Sequence, residues 1–98
     1  MAWPFSQVPP DFDSGEVGLP ASLTLVSAGT KYLMGITVAN NTSGVVSLTV
    51  SDGAGNVIIP ATPIAPHNEF TRAYNFRPVA GIQWAGSGLT GKVWGYGA

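Results

Sequence analysis

The sequence predicts an all-β protein: a single antiparallel β-sandwich of about seven strands, Greek-key or jelly-roll-like, preceded by an extended N-terminal arm. From residue 21 onward apolar and polar residues alternate in short runs with a period of two. Clusters of Gly, Asn, Asp, Ser and Pro separate these runs, and no stretch has the 3.6-residue period of an amphipathic helix. The strands fall at residues 21–27, 31–40, 45–52, 56–60, 69–76, 80–85 and 92–96. Residues 40–44 (Asn-Asn-Thr-Ser-Gly) and 52–56 (Asp-Gly-Ala-Gly-Asn) have the composition of hairpin loops. Residues 60–66 carry Pro60, Pro63 and Pro66, which supply no ladder donors, so this segment is read as an edge or as the crossover between two sheets.

Alternation also assigns faces. In the second strand Tyr32, Met34, Ile36 and Val38 share one side and are expected in the core; Val46, Leu48 and Val50 do the same in the third. Leu23 and Leu25, Phe70, Tyr74 and Phe76, and Ile82 and Trp84 extend that core. A 98-residue chain is one thin domain, and without cysteine it has neither disulfides nor thiolate chemistry.

Residues 1–20 read differently from the domain at 21–98. Pro4, Pro9, Pro10 and Pro20 disfavour helix and central strand alike. Yet Trp3, Phe5, Val8 and Phe12 are large apolar groups that need cover, either on a partner, as anchors of an arm, or on the chain's own domain. Residues 1–20 lack the pattern of a signal peptide, and no later run reaches the length of a membrane span, so a soluble protein without membrane partners is expected.

Charged residues make up 9% of the chain and the net charge is −1. The basic residues Lys31, Arg72, Arg77 and Lys92 are scattered, which gives no basis for gripping a phosphate backbone, so nucleic acid is not an expected partner. Such low charge points to surface covered by copies of the same chain or by another protein; the alternative is a plain neutral Gly/Ser/Thr-rich β surface.

No catalytic, cofactor or metal site is expected. His67 is the only histidine and has Asn68 and Glu69 beside it, without an evident nucleophile or oxyanion donor. Asp52, Ala54 and Asn56 begin like a calcium loop, but the downstream bidentate Glu is missing, and a turn is the better reading. Trp94 and Tyr96 share a face of the last strand opposite Val93, Gly95 and Gly97. Together with Trp84 they form either a flat platform for a sugar ring or ordinary core and interface. Arg72 falls between Phe70 and Tyr74 on the expected core side, so it requires a carboxylate such as Asp52 or Glu69, a neighbouring chain, or a bulge that turns it to solvent.

The run from Gly35 through Asn40-Asn41-Thr42, the following Val46 to Pro60 with its Thr-Val-Ser-Asp-Gly-Ala-Gly-Asn hairpin, and the late Gly81 to Trp94 with its Gly-Ser-Gly-Leu-Thr-Gly turn resemble small β-sandwich virion proteins of tailed bacteriophages. The resemblance covers most of residues 21–97 and leaves the arm aside. It implies a non-enzymatic virion component made in the host cytoplasm: a capsid decoration or cement protein, or a head-fibre or tail part. It further implies a homotrimer attached to the major capsid or another virion protein. A carbohydrate- or host-receptor-binding module is the other reading carried forward.

Overall fold

The computed structural model describes residues 12–97. The described chain forms strands β1 (Phe12–Asp13), β2 (Val17–Gly18), β3 (Thr24–Asn40), β4 (Val46–Ser51), β5 (Val57–Ile64), β6 (Glu69–Ala85) and β7 (Leu89–Gly97), with no helix. All pairings are antiparallel, in the order β1-β7-β3-β6-β4-β5, with β2 also on β7. The number seven agrees with the sequence reading, but the partition does not. Strands expected at 21–27 and 31–40 are one strand of 17 residues, β3, and those expected at 69–76 and 80–85 are one of 17, β6.

Irregularities on facing strands explain the merger. Gly29 (φ 82°) and Gly81 (φ 84°) occupy left-handed conformations open to glycine, and the β3–β6 register shifts near both, between Ser27↔Ile82 and Thr30↔Ala80. A further shift leaves Tyr74, Asn75 and Phe76 opposite Met34 alone, with Phe76 itself at φ 52°. Residues that look like turn formers in sequence thus make bulges, because a partner strand continues beside them.

In place of two separately bonded sheets, the strands form one continuous sheet. β7 pairs with residues 31–40 of β3, whereas β4 pairs with residues 83–85 of β6, so the two ends of the β3–β6 ribbon have different neighbours. The sheet is strongly curled. Asn40 Nδ2, on β3, donates to the carbonyl of Ile64, on β5. These strands stand three places apart in the order, which in a flat sheet is a gap of about 14 Å.

Inside the curl lie Leu33, Ile36, Leu48, Ile59, Ile82 and Trp84, all essentially inaccessible. Each such side chain is worth about 1.5–3 kcal/mol of burial. Ile36, Val38, Leu48, Val50, Ile82 and Trp84 are where alternation puts them, but two expectations are corrected. Leu33 takes the core position instead of Tyr32 and Met34, because the bulge between Leu33 and Gly35 exchanges the faces of β3. Leu23 and Leu25 are exposed: Leu25 pairs with Gln83, one residue out of phase with the buried Trp84, and therefore faces outward. Phe70 and Tyr74 pack partly against the core, as does Phe12.

The proline segment continues β5 to Ile64 as an edge strand, where missing N–H groups cost little. Residues 65–68 then carry the chain to β6, skipping β4 in the order.

Asn40 closes the curl and is completely buried. Its Nδ2 donates to Gly44 O at 2.9 Å and Ile64 O at 2.8 Å, while its Oδ1 accepts from Thr42 N at 3.0 Å and Thr42 Oγ1 at 2.6 Å. Its backbone N–H donates to Asn68 O at 2.9 Å and its carbonyl accepts from His67 N at 2.7 Å. Replacing Asn40 by Leu keeps the branched shape of the side chain, with somewhat more bulk, but orphans several buried polar groups. Urea unfolding of Asn40→Leu is expected to show a loss of about 2–4 kcal/mol, whereas the half-exposed Thr42→Val loses about 1. Equal losses would deny Asn40 its central place.

Candidate functional site

The last strand sorts its side chains cleanly. Leu89, Gly91, Val93 and Gly95 are buried, and Lys92, Trp94 and Tyr96 point the other way, partly exposed. The glycines are there for close packing: a Cβ on Gly95 would collide with the carbonyl of Tyr32, and one on Gly91 with that of Thr37. Gly35 does the same on the outer side, since the Trp94 ring lies directly on its α-carbon.

Register places Lys92, Thr37 and Thr71 side by side across β7, β3 and β6, and Thr37 and Thr71 share a short hydroxyl–hydroxyl hydrogen bond. β1 brings Asp13 alongside, with its Oδ2 3.9 Å from Lys92 Nζ. Asp13, Gly15, Glu16, Thr37 and Lys92 line a shallow cleft of about 370 Å³. Lys92 Nζ also lies 5.4 Å from the centre of the Trp94 ring. Both charges of the Asp13–Lys92 pair are more than 40% exposed, so the pair orients the cleft and adds little stability.

Beyond Trp94, Tyr96 stacks on Phe76 at 5.6 Å. Arg77 covers the Tyr74 ring at 5.7 Å. Burial raises the pKa of the Tyr74 hydroxyl, and the positive charges of Arg72 and Arg77 oppose the rise.

The residues singled out from sequence separate. Trp84 is 2% exposed and belongs to the core, so it does not join Trp94 and Tyr96 in a three-ring platform; its partners Thr24 and Val50 hold it on the inner face. Arg72 is exposed, with its guanidinium 5.7 Å from the Phe70 ring, which removes the need for a buried counter-ion. Phe12 pairs with Gly95, packs against the core and has Lys31 Nζ 6.0 Å from its ring, so it is held by its own chain. Trp3, Phe5 and Val8 lie outside the described residues. The described part of the expected arm, residues 12–20, is tied to β7 by β1 and β2 and sends Leu19 into the core.

His67 sits exposed in the turn before β6 at φ 60°, its N–H committed to Asn40. Among the described residues no group of three or more His, Asp or Glu side chains is arranged to hold a metal ion. The Asp52 loop is a self-contained turn. Asp52 Oδ1 accepts from Ala54 N at 2.9 Å and Asn56 N at 2.8 Å, Oδ2 accepts from Asn56 Nδ2 at 3.0 Å, and its carbonyl accepts from Gln83 Nε2 at 3.0 Å.

Alternation alone did not reveal the Asp13–Lys92–Thr37 cleft. It depends on β1 returning to β7 and on Lys92 standing opposite Thr37, and neither residue carries a motif. Comparison with protein-family models, curated proteins and solved structures found no match. The likeness to phage virion proteins therefore rests on the runs quoted above.

Asp52 gives the fold an acid limb. The Asn56 side chain, then the Asn56 backbone N–H, hold its carboxyl below the ordinary carboxylate value against the opposing effect of desolvation, with help from Ala54 and Gly55. A lowered folded-state pKa stabilises the protein above the unfolded value of 3.8, and that contribution is lost as pH falls through the folded value. Thermal melts from about pH 6 down to about pH 2 are expected to show this loss, and Asp52→Asn is expected to flatten it. An unchanged acid limb in the variant would assign the sensitivity elsewhere.

Proposed function

We propose that this chain is a non-catalytic structural protein that works by associating with copies of itself within a larger protein assembly. A tailed-phage particle is the proposed setting, and capsid decoration the proposed role. The character of the surface carries this reading. Val17, Leu23, Leu25, Tyr32, Val45 and Val57 are each between 39% and 63% exposed. The whole chain has only four basic and five acidic residues, and one of the acids, Asp52, is buried in its turn. A surface poor in charge and rich in exposed apolar side chains is suited to being covered. Since Phe12 is engaged with its own domain, the contacts are assigned to the sheet surface and not to that residue. The phage setting and the trimer are supported by the resemblance of residues 35–60 and 81–94.

Light scattering and sedimentation across about 1–100 µM are expected to give a defined oligomer, a trimer in the proposed setting. The double change Val45→Lys and Val57→Lys is expected to weaken association at least about tenfold, or 1.4 kcal/mol. A monomer throughout that range would overturn the reading.

A second reading, a carbohydrate- or receptor-binding module, is favoured by one observation: Trp94 stands partly exposed beside the Asp13–Lys92–Thr37 cleft, whose volume lies within the range of small-ligand sites. It predicts that glycans alter tryptophan fluorescence and that Trp94→Phe removes the response. Silence across a broad glycan panel would eliminate it.

A further inference from the structure

The described residues carry few charges, and the fold sorts them by place. Strands β1 and β2, then β7, β3 and the first half of β6 lie side by side in that order. At one end of this run β1 and β2 have β7 on one side and, among the described residues, no strand on the other. At the other end residues 69–73 of β6 have β3 on one side and, again among the described residues, no strand on the other.

The first end is acidic. Asp13 and Glu16 are both exposed and line the cleft with Lys92. Lys92 answers Asp13 at 3.9 Å, the one ion pair among the described residues, so within that set Glu16 has no cationic partner. Lys31 lies over the Phe12 ring, and Phe12 and Asp13, as neighbours in β1, point to opposite faces. Val17, next to Glu16, is 39% exposed.

The second end is basic. Arg72 lies over the Phe70 ring and Arg77 over the Tyr74 ring, each guanidinium 5.7 Å from the ring centre. Both positive charges act on the Tyr74 hydroxyl, which gathers them around one side chain. Neither has a carboxylate within ion-pair distance among the described residues. Glu69 does not answer Arg72: it pairs with Ala39 and Arg72 with Ile36, three positions away, so the two point to opposite faces. Arg77 Nη2 donates to the carbonyl of Val57 at 3.4 Å, and Val57 is 59% exposed. Each end therefore presents an exposed valine with charge beside it, and the signs are opposite.

We propose that the basic end of one copy, Arg72 and Arg77 around Val57, docks on the acidic end of the next copy, Asp13 and Glu16 around Val17, an assignment that rests on the self-association proposed above. Opposite charge favours the meeting of unlike ends. Two basic ends brought together set guanidinium against guanidinium, and two acidic ends set carboxylate against carboxylate. Because the joined faces differ and lie at opposite ends of one run of strands, the contact is head-to-tail, and it closes as a ring of copies where the rotation between them permits. The trimer proposed above is such a ring. Val17 and Val57 supply the apolar middle of the contact and the charges stand around it, the usual arrangement of a protein interface.

Sedimentation equilibrium of the full chain, at concentrations where oligomer and single copies coexist, tests this. Arg72→Glu and Glu16→Arg alter exposed side chains and are each expected to weaken association at least about tenfold. Both changes in one chain are expected to bring it back to within about threefold of the unchanged protein. Where a reversal fails to fold by circular dichroism, Arg72→Gln and Glu16→Gln take its place, each expected to weaken association about threefold. Single variants that associate like the unchanged protein, or a combination that stays weak, overturn the contact; an unchanged protein that is still an oligomer then leaves the self-association reading in place. Rescue of Arg72→Glu by Glu69→Arg instead of Glu16→Arg also overturns it, because β6 then meets β6 of a second copy. A chain that is monomeric throughout overturns both.

Discussion

Closing a curled sheet brings strand ends together at a place that water does not reach, and the backbone groups there must still be bonded. Asn40 solves this problem. It ends β3, beside Leu89 of β7, and its side chain offers two donors and an acceptor to groups from the following loop and from β5. An apolar residue at this point would bury equally well but would leave the Ile64 and Gly44 carbonyls and the Thr42 N–H unmet. The turn at residues 40–44 and the end of β5 depend on this one side-chain amide, and the entry into β6 is bonded to the backbone of the same residue.

The second constraint is length. β3 and β6 each run for 17 residues and pair along most of that span, so the ribbon they form must bend to enclose a core. Bending is concentrated at irregular positions on both strands, at Gly29 and Gly81 and around Phe76. A Cβ at Gly81 would press on the Ser27 carbonyl, which ties the two strands together at the bend. These bulges also decide which side chains are inside. The one near Met34 turns Leu33 inward and leaves Tyr32 at the surface, beside Tyr96.

On the outer face small residues and glycines let large rings lie flat. Trp94 rests on Gly35, and Tyr96 stacks on Phe76. Charged side chains are few, and polar ones there meet one another in the Thr37–Thr71 pair and the Asp13–Lys92 contact. The result is a surface organised for contact over area. Its chemistry is that of packing and hydrogen bonding, consistent with the structural role proposed for it.

The sequence by itself determined the antiparallel β architecture, because a period of two and the turn composition are local properties of the chain. It also determined the hairpin turn at Asp52–Asn56, where the Asp52 side chain bonds to backbone within four residues, whereas residues 40–44, read as a second hairpin, form a polar loop that carries the chain from β3 to β4 across the intervening β6, since β3 and β4 do not pair. It placed Ile36, Val38, Leu48, Val50, Ile82 and Trp84 in the core. Only the tertiary structure decided that four expected strands are two, that Leu23 and Leu25 face outward, that Arg72 is not buried, and that Phe12 is held by its own domain. Each of these depends on which strand lies alongside and in what register. A register change by an odd number of residues, such as the one-residue shift between β3 and β7 at Leu33/Gly35, reverses every face beyond it. The cleft beside Trp94 and the separation of the acidic from the basic edge arise in the same way, from pairings between residues far apart in the chain.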